Sequence, residues 1–357
     1  YVYWLLILPP VIFAFFEIGG SGSKFKTSRW SLTWTCIFFY MVLFLWLRDG
    51  IGPDWMPYES KVDDLRSTHI TDVDFKSDPG FVILNWFGAN IFGGIYFVNF
   101  IGALIFTYGL EKFCLTQTRP WLSLVIAIPY LVIVVAVGYT RQGIAIGFAF
   151  LAIISLIDKR FIKFCVFILF ATIFHKSAAI IVVLALFCDA KKNWIKFISI
   201  PLLLAALMSY FIIDSLVEVD RIYISNENFS SKGAFIRILL CAIPSIVLIF
   251  FSRYIKFKDV GERKFWITVA YISIAALFFE IISSKYINLS TLLDRLALYL
   301  IPIQMVVLSR VPDTFSRKSS LRTFSVLSVI LYCISIQFVW LNYADNATAW
   351  IPYKSIL

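Results

Sequence analysis

The chain has 357 residues, 60% of them hydrophobic and 15% charged, with a mean hydropathy of +0.85 and a net charge of +10. A soluble domain averages about 45–50% apolar and ~25% charged residues, so a soluble fold is excluded and an integral membrane protein is expected. The basic residues lie in short loops between apolar stretches, where membrane orientation accounts for them and no nucleic-acid partner is implied.

A membrane-spanning helix takes about 20 residues. The apolar segments predict spans at 2–18, 30–47, 93–110, 121–138, 142–157, 194–213, 234–251, 265–282, 292–309 and 321–342. The first has no basic leader and no small-residue cleavage site, so it reads as a retained span. Residues 81–110 form a long apolar run interrupted at Gly88, Gly93 and Gly94. Residues 164–188 form another, broken by His175-Lys176-Ser177. The expected fold is all-α: a polytopic bundle of about 10–12 membrane helices in a single integral membrane domain. The six cysteines fall in or beside apolar segments with no CxxC spacing, so they read as small hydrophobes. No metal site and no cofactor are expected.

Charge sets the topology. Loops 19–29, 111–120, 158–163, 189–196, 252–264 and 309–322 together carry 20 Lys and Arg against 6 Asp and Glu, and are assigned to the cytoplasm. Both ends of this chain then lie outside. The sorting requires 164–188 to leave the cytoplasm and return, as a broken hairpin with His175 at its tip. Irregular backbone at membrane depth is tolerated where protein or a water-filled cavity surrounds it, so the break points to a cavity.

The opposite face collects the candidate site. Loop 48–80 holds Arg48, Asp54, Trp55 and Tyr58; its Gly50, Gly52, Pro53 and Pro57 predict turns in place of a continuous helix. Trp55 and Tyr58 suit either stacking on a sugar ring or anchoring at headgroups. Arg141 opens a span, where it either snorkels to the interface or forks a diphosphate. His175 suits general-base chemistry near neutral pH. Asp294 and Arg295 sit inside the end of a span, with Tyr299 one turn beyond Arg295, and ionisable groups there are functional candidates by default. Loop 214–233 is a second polar outer loop, read as an ordinary surface loop or a lid.

These residues carry a resemblance. Arg48-x-x-Ile51-Gly52-x-Asp54-x-x-x-Tyr58, Asp78-Pro79-Gly80-Phe81, Arg141-Gln142-x-x-Ala145, Phe174-His175-x-Ser177-Ala178, Asp294-Arg295-Leu296-Ala297-x-Tyr299 and Pro352-Tyr353 run in order over nearly the whole chain. In this the sequence resembles the EpsG-like branch of the bacterial Wzy polysaccharide polymerases, with Trp55 where that family commonly has Tyr. The resemblance implies a GT-C-type membrane glycosyltransferase fold. It also implies a metal-independent enzyme in the cytoplasmic membrane, with its active site facing outward. The implied reaction moves a glycan from a polyprenyl diphosphate onto a hydroxyl of the next lipid-linked repeat unit. Its partners would be those lipid-linked oligosaccharides, membrane lipid, a flippase and a chain-length regulator. Under this reading Arg141, Arg295 and Arg48 bind diphosphate, and His175 or Asp54 is the base. Asp294 orients Arg295, while Trp55, Tyr58, Tyr299 and Tyr353 face sugar. A flippase for lipid-linked sugar is the first rival. It is disfavoured by the lack of an internal repeat and of charges in the inner halves of the spans. The second is a membrane acyltransferase acting on a glycan.

Overall fold

A computed structural model describes residues 2–18, 31–75, 78–185, 233–283, 290–316 and 319–356. Among them every regular element is a helix, apart from one isolated bridge between Arg48 and Ser355. The expected span at 194–213 and all but Gly233 of loop 214–233 lie outside the described residues. The chain divides into two compact units: Tyr1–Leu151 with Leu169–His175 and Ser309–Leu357, and Ala152–Ile168 with Lys176–Leu308.

The predicted spans return as helices. They are α1 (Trp4–Phe16), α2 (Leu32–Trp46), α5 (Ile95–Leu115), α6 (Pro120–Ala127), α7 (Thr140–Ile157), α10 (Ala234–Phe251), α11 (Val260–Ser283) and α14 (Ser320–Tyr343). Among the described residues, six stretches are long and apolar enough to cross a membrane. Large apolar side chains cover outward faces, among them Phe324, Leu331 and Phe338 on α14 and, on the shorter apolar helix α1, Leu5, Leu8 and Ile12. This is a multi-pass membrane protein, since in water such faces would be an aggregation liability and in lipid they cost nothing.

Breaks fall where local chemistry forces them. The 81–110 run divides into α4 (Pro79–Asn90) and α5 at a turn where Gly93 and Gly94 take φ of +83° and +84°. Only glycine adopts that backbone cheaply. Gly88 is not at the break; it lies inside α4, where a Cβ would meet the Gly94 carbonyl at 2.8 Å. Pro129 removes an N–H from the ladder, and α6 continues as a π-helix over Ile128–Ala136. The expected span 292–309 is two helices, α12 (Ser290–Leu300) and α13 (Pro302–Arg310), with Pro302 opening the second. At His175, α8 (Phe161–Phe174) ends and a 3₁₀ turn over Lys176–Ala179 leads into α9 (Ile180–Ala185). The remainder of 164–188 lies outside the described residues.

The turn-only reading of loop 48–80 is corrected: Trp55–Asp64 forms helix α3. Pro57 falls in its first turn, where no intrahelical N–H is required.

In the first unit α5 and α7 cross at glycine. A Cβ on Gly109 would stand 2.1 Å from the Gly147 carbonyl oxygen, and one on Gly147 2.6 Å from that of Ile105. Small residues let two backbones approach this closely, and dispersion across the contact replaces the hydrophobic drive that lipid does not supply. Residues 47–52 take hydrogen bonds with the C-terminal tail: Asp49 N–H to Lys354 O at 3.1 Å, Ile356 N–H to Leu47 O at 3.0 Å and Gly52 N–H to Ala349 O at 2.8 Å. Tyr3 donates to Trp350 O at 2.8 Å, so α1 starts at this same end.

Buried charge gathers at the opposite end of the unit. Arg119 and Arg322 share Asp313 at 3.0 and 2.8 Å, and Arg310 donates to Gln117 at 2.9 Å. Glu111, expected in a cytoplasmic loop, lies inside α5 with no exposed surface. The idea that the inner halves of the spans lack charge is therefore corrected.

In the second unit α10 packs on α11 and α12. Loops 158–163 and 252–264, both assigned to the cytoplasm, meet through Lys258–Asp158 at 2.6 Å and Lys159–Asp259 at 2.7 Å. The Lys159 ammonium beside Asp259 holds that carboxyl below its usual range.

Candidate functional site

In the first unit the site is built on the start of α3, the start of α4 and the start of α7. Asp54 sits at the N-cap position of α3 and Tyr58 one turn on, so both lie on one face. The Tyr58 hydroxyl donates to Asp54 Oδ2 at 2.8 Å. The Arg141 backbone amide is within hydrogen-bonding reach of the same hydroxyl. Burial, then the Asp54 carboxylate, push the Tyr58 phenol far above its ordinary range, so it stays a neutral donor.

Arg141 opens α7 one residue in, and its Nη1 pairs with Asp78 Oδ2 at 2.6 Å. Asp78 holds φ at +43°, an uncommon left-handed backbone for a residue other than glycine, directly before Pro79 begins α4. The Arg141 side chain keeps 23% of its surface exposed and that of Asp78 10%. Asp54 is half-buried. The cluster therefore presents a cation and a carboxylate at its rim over a buried floor.

That floor is apolar. Trp55, Tyr58, Val62, Phe81, Leu84 and Ile144 form one buried cluster, with Phe174 packed against it. Gly80 rests on α8: a Cβ there would lie 3.0 Å from the Ile173 side chain and 3.3 Å from its carbonyl oxygen. His175, 5% exposed, follows two residues later, so the end of α8 meets the start of α4 beside Asp78.

Several expected placements change. Trp55 and Tyr58 are 5% and 4% exposed, so neither ring lies open for a sugar to stack on. Their apolar faces pack between α3, α4 and α5, which the alternation of a polar loop concealed. Arg48, expected at the surface, is 2% exposed. It donates to the Leu45 carbonyl, to Asn99 Oδ1 at 2.9 Å and to Thr140 Oγ1 at 2.5 Å. Burial draws its guanidinium down to about 10, so it is still a cation at neutral pH. Tyr353 is held in the tail, its hydroxyl on Phe44 O at 2.7 Å and its ring against Tyr3 and Phe44.

In the second unit Asp294 pairs with Arg237, which also reaches the Asp294 carbonyl at 3.4 Å. The expectation that Asp294 orients Arg295 is corrected, because adjacent helical residues point about 100° apart. Arg295 is exposed, and Tyr299 is 3% exposed on the buried face of α12.

Asp78 and Arg237 were absent from the expected site. The left-handed turn that aims Asp78 at Arg141 has no signature in Asp-Pro-Gly alone. A signal for Asn99 did exist: a lone amide inside an apolar run.

A family model, that of the EpsG family, matches residues 31–355. No curated protein and no solved structure matches the chain.

Proposed function

The chain belongs to the EpsG family, and from that premise we propose that it is a polysaccharide polymerase of the cytoplasmic membrane. It extends glycans carried on a polyprenyl diphosphate, at the outer face. The observation that carries this reading is the partly exposed Arg141, held at the rim by Asp78 with the Asp54 carboxylate near it.

The acceptor hydroxyl of one lipid-linked unit attacks the anomeric carbon of the glycan on another. The new glycosidic C–O bond forms as the bond to the diphosphate breaks, and the hydroxyl proton passes to a protein base. Asp54 is the base on this reading. Tyr58 occupies only one of its carboxylate oxygens, and the group is open enough to meet a hydroxyl. His175, buried at the end of α8, is the alternative. The leaving diphosphate gains negative charge, and Arg141 is placed to meet it with the donors that Asp78 does not use. Arg295, exposed on α12, is within the second unit a separate candidate contact for phosphate, and Tyr299 supports that helix from its buried face. Arg48 and Tyr353 act as braces. The reaction as written needs no metal. A flippase and a chain-length regulator are its expected partners in the cell.

The experiment is purified protein with a polyprenyl-diphosphate-linked repeat unit, with and without chelator. A ladder of longer glycans in both arms supports the reading. A ladder lost on chelation removes the metal-free part of it. No ladder from folded protein favours a flippase or an acyltransferase, and vesicle transport would then be measured.

A further inference from the structure

Arg48 is a buried cation with no anion beside it. Among the described residues no carboxylate reaches it, and all three of its partners are neutral acceptors. In a membrane protein an isolated buried charge is costly unless a counter-charge or a full set of hydrogen bonds offsets it.

Hydrogen bonding around it is lopsided in one direction. Asn99 Oδ1 accepts from Arg48 at 2.9 Å and from the Thr140 hydroxyl at 3.2 Å. Thr140 Oγ1 in turn accepts from Arg48 at 2.5 Å. Two buried donors are left over, Arg48 Nε and Asn99 Nδ2, and neither has a partner. Against these two, the three side chains keep one spare acceptor position, the second lone pair of Thr140 Oγ1.

Arg48 lines a small pocket together with Leu45, Gly102, Ala103, Phe106, Ala136, Thr140 and Gly143, with room for a single small guest. Thr140 and Gly143 belong to the first turn of α7. Apart from Arg48 and Thr140 the lining side chains are apolar or absent. A water molecule there would bring two hydrogens, for which the lining side chains offer a single free acceptor position, the second lone pair of Thr140 Oγ1. A guest that only accepts, and carries negative charge, answers both imbalances.

We propose that this pocket is a binding site for a small monovalent anion, chloride or its chemical equivalent, held by the Arg48 guanidinium. The bound anion neutralises the charge at the junction of α2, α5 and α7. It lies beneath the turn that presents Arg141, and its existence does not depend on the polymerase reading.

The test reads thermal unfolding of the purified full chain in detergent, at fixed ionic strength, as gluconate is replaced by chloride or by bromide. A ligand that binds only the folded state raises the midpoint, with a logarithmic dependence once the site is filled. The expected result is a rise of a few degrees with either halide, since gluconate is too large for the pocket. Arg48→Gln should abolish the response. Because that variant risks misfolding, Gly143→Ala is the second. Its Cβ would sit 3.4 Å from Ala136 Cα, an ordinary contact, and would occupy the pocket. It should fold, match or exceed the wild-type midpoint in gluconate, and lose the halide response. Equal midpoints in gluconate and halide for the wild-type chain would overturn the proposal. So would a halide response that survives in Gly143→Ala.

Discussion

Replacing Arg141 by Lys keeps the charge and removes the planar fork. In the resting structure Arg141 spends Nη1 on Asp78 at 2.6 Å, while its Nε has no partner. A lysine ammonium offers its three donors from a single point and cannot present a planar two-toothed fork to the departing diphosphate while it holds Asp78. A hydrogen bond to a charged group contributes about 1.5–3 kcal/mol net. Removing one preorganised donor from a developing anion costs about 2.7–4 kcal/mol of activation free energy, or a factor of ~10² to 10³ in rate. Arg141→Lys should therefore slow glycan extension by about 10²-fold, and Arg141→Ala by at least ~10³-fold. The assay is the initial rate of ladder growth with saturating lipid-linked repeat unit, alongside the unfolding midpoint of each variant. The part-buried ion pair lies between an exposed one (about 0–1 kcal/mol) and a fully buried one (about 3–5 kcal/mol), so Arg141→Ala should also lower stability modestly. Asp78→Asn should cause a similar loss of stability with a smaller loss of rate, since it leaves the guanidinium in place. Retention of rate within about threefold by Arg141→Lys would refute the bidentate role, because a threefold change is below 1 kcal/mol.

Asp54→Asn should cut extension by about 10²-fold or more if Asp54 is the base. Substantial retained rate, with His175→Ala inactive, would move that role to His175. Tyr58→Phe removes one hydrogen bond to a carboxylate and should cost about 1.5–3 kcal/mol of stability, read from denaturant or thermal unfolding. Gly147→Val drives a branched side chain into the Ile105 backbone at the α5–α7 crossing and should abolish folded, detergent-stable protein in size-exclusion chromatography. Asp259 has a folded pKa below its unfolded one, so its pair with Lys159 stabilises the fold above the unfolded carboxylate value of about 3.9 and is lost as pH falls through the lower folded value. Because Lys159 is 64% exposed, the loss should stay at or below about 1 kcal/mol, and Asp259→Asn should erase that part of the pH dependence of unfolding.

Much of this protein was legible in its sequence. Length and hydropathy locate the apolar segments, because backbone in lipid has to satisfy its own hydrogen bonds and so is helical wherever protein does not surround it. The helix at 234–251 appeared with the predicted limits. Loops assigned to one side by charge, 158–163 and 252–264, do meet in the structure. The breaks at Gly93-Gly94 and at His175 were visible because those residues interrupt an otherwise uniform apolar signal.

Partners across the bundle were not legible. That Arg141 pairs with Asp78, that Asp294 pairs with Arg237 and not with its neighbour Arg295, and that Arg48 turns inward to Asn99 and Thr140 all depend on how helices cross. For Arg48 and Arg141 the crossing of α5 and α7 is set by close backbone approach at Gly109 and Gly147, further along the same helices. Sequence determines that a charge stands at a helix end, through the cost of placing it deeper in lipid. Only tertiary packing decides whether that charge faces a carboxylate, an amide or the open rim, because that choice is made by neighbours dozens of residues away.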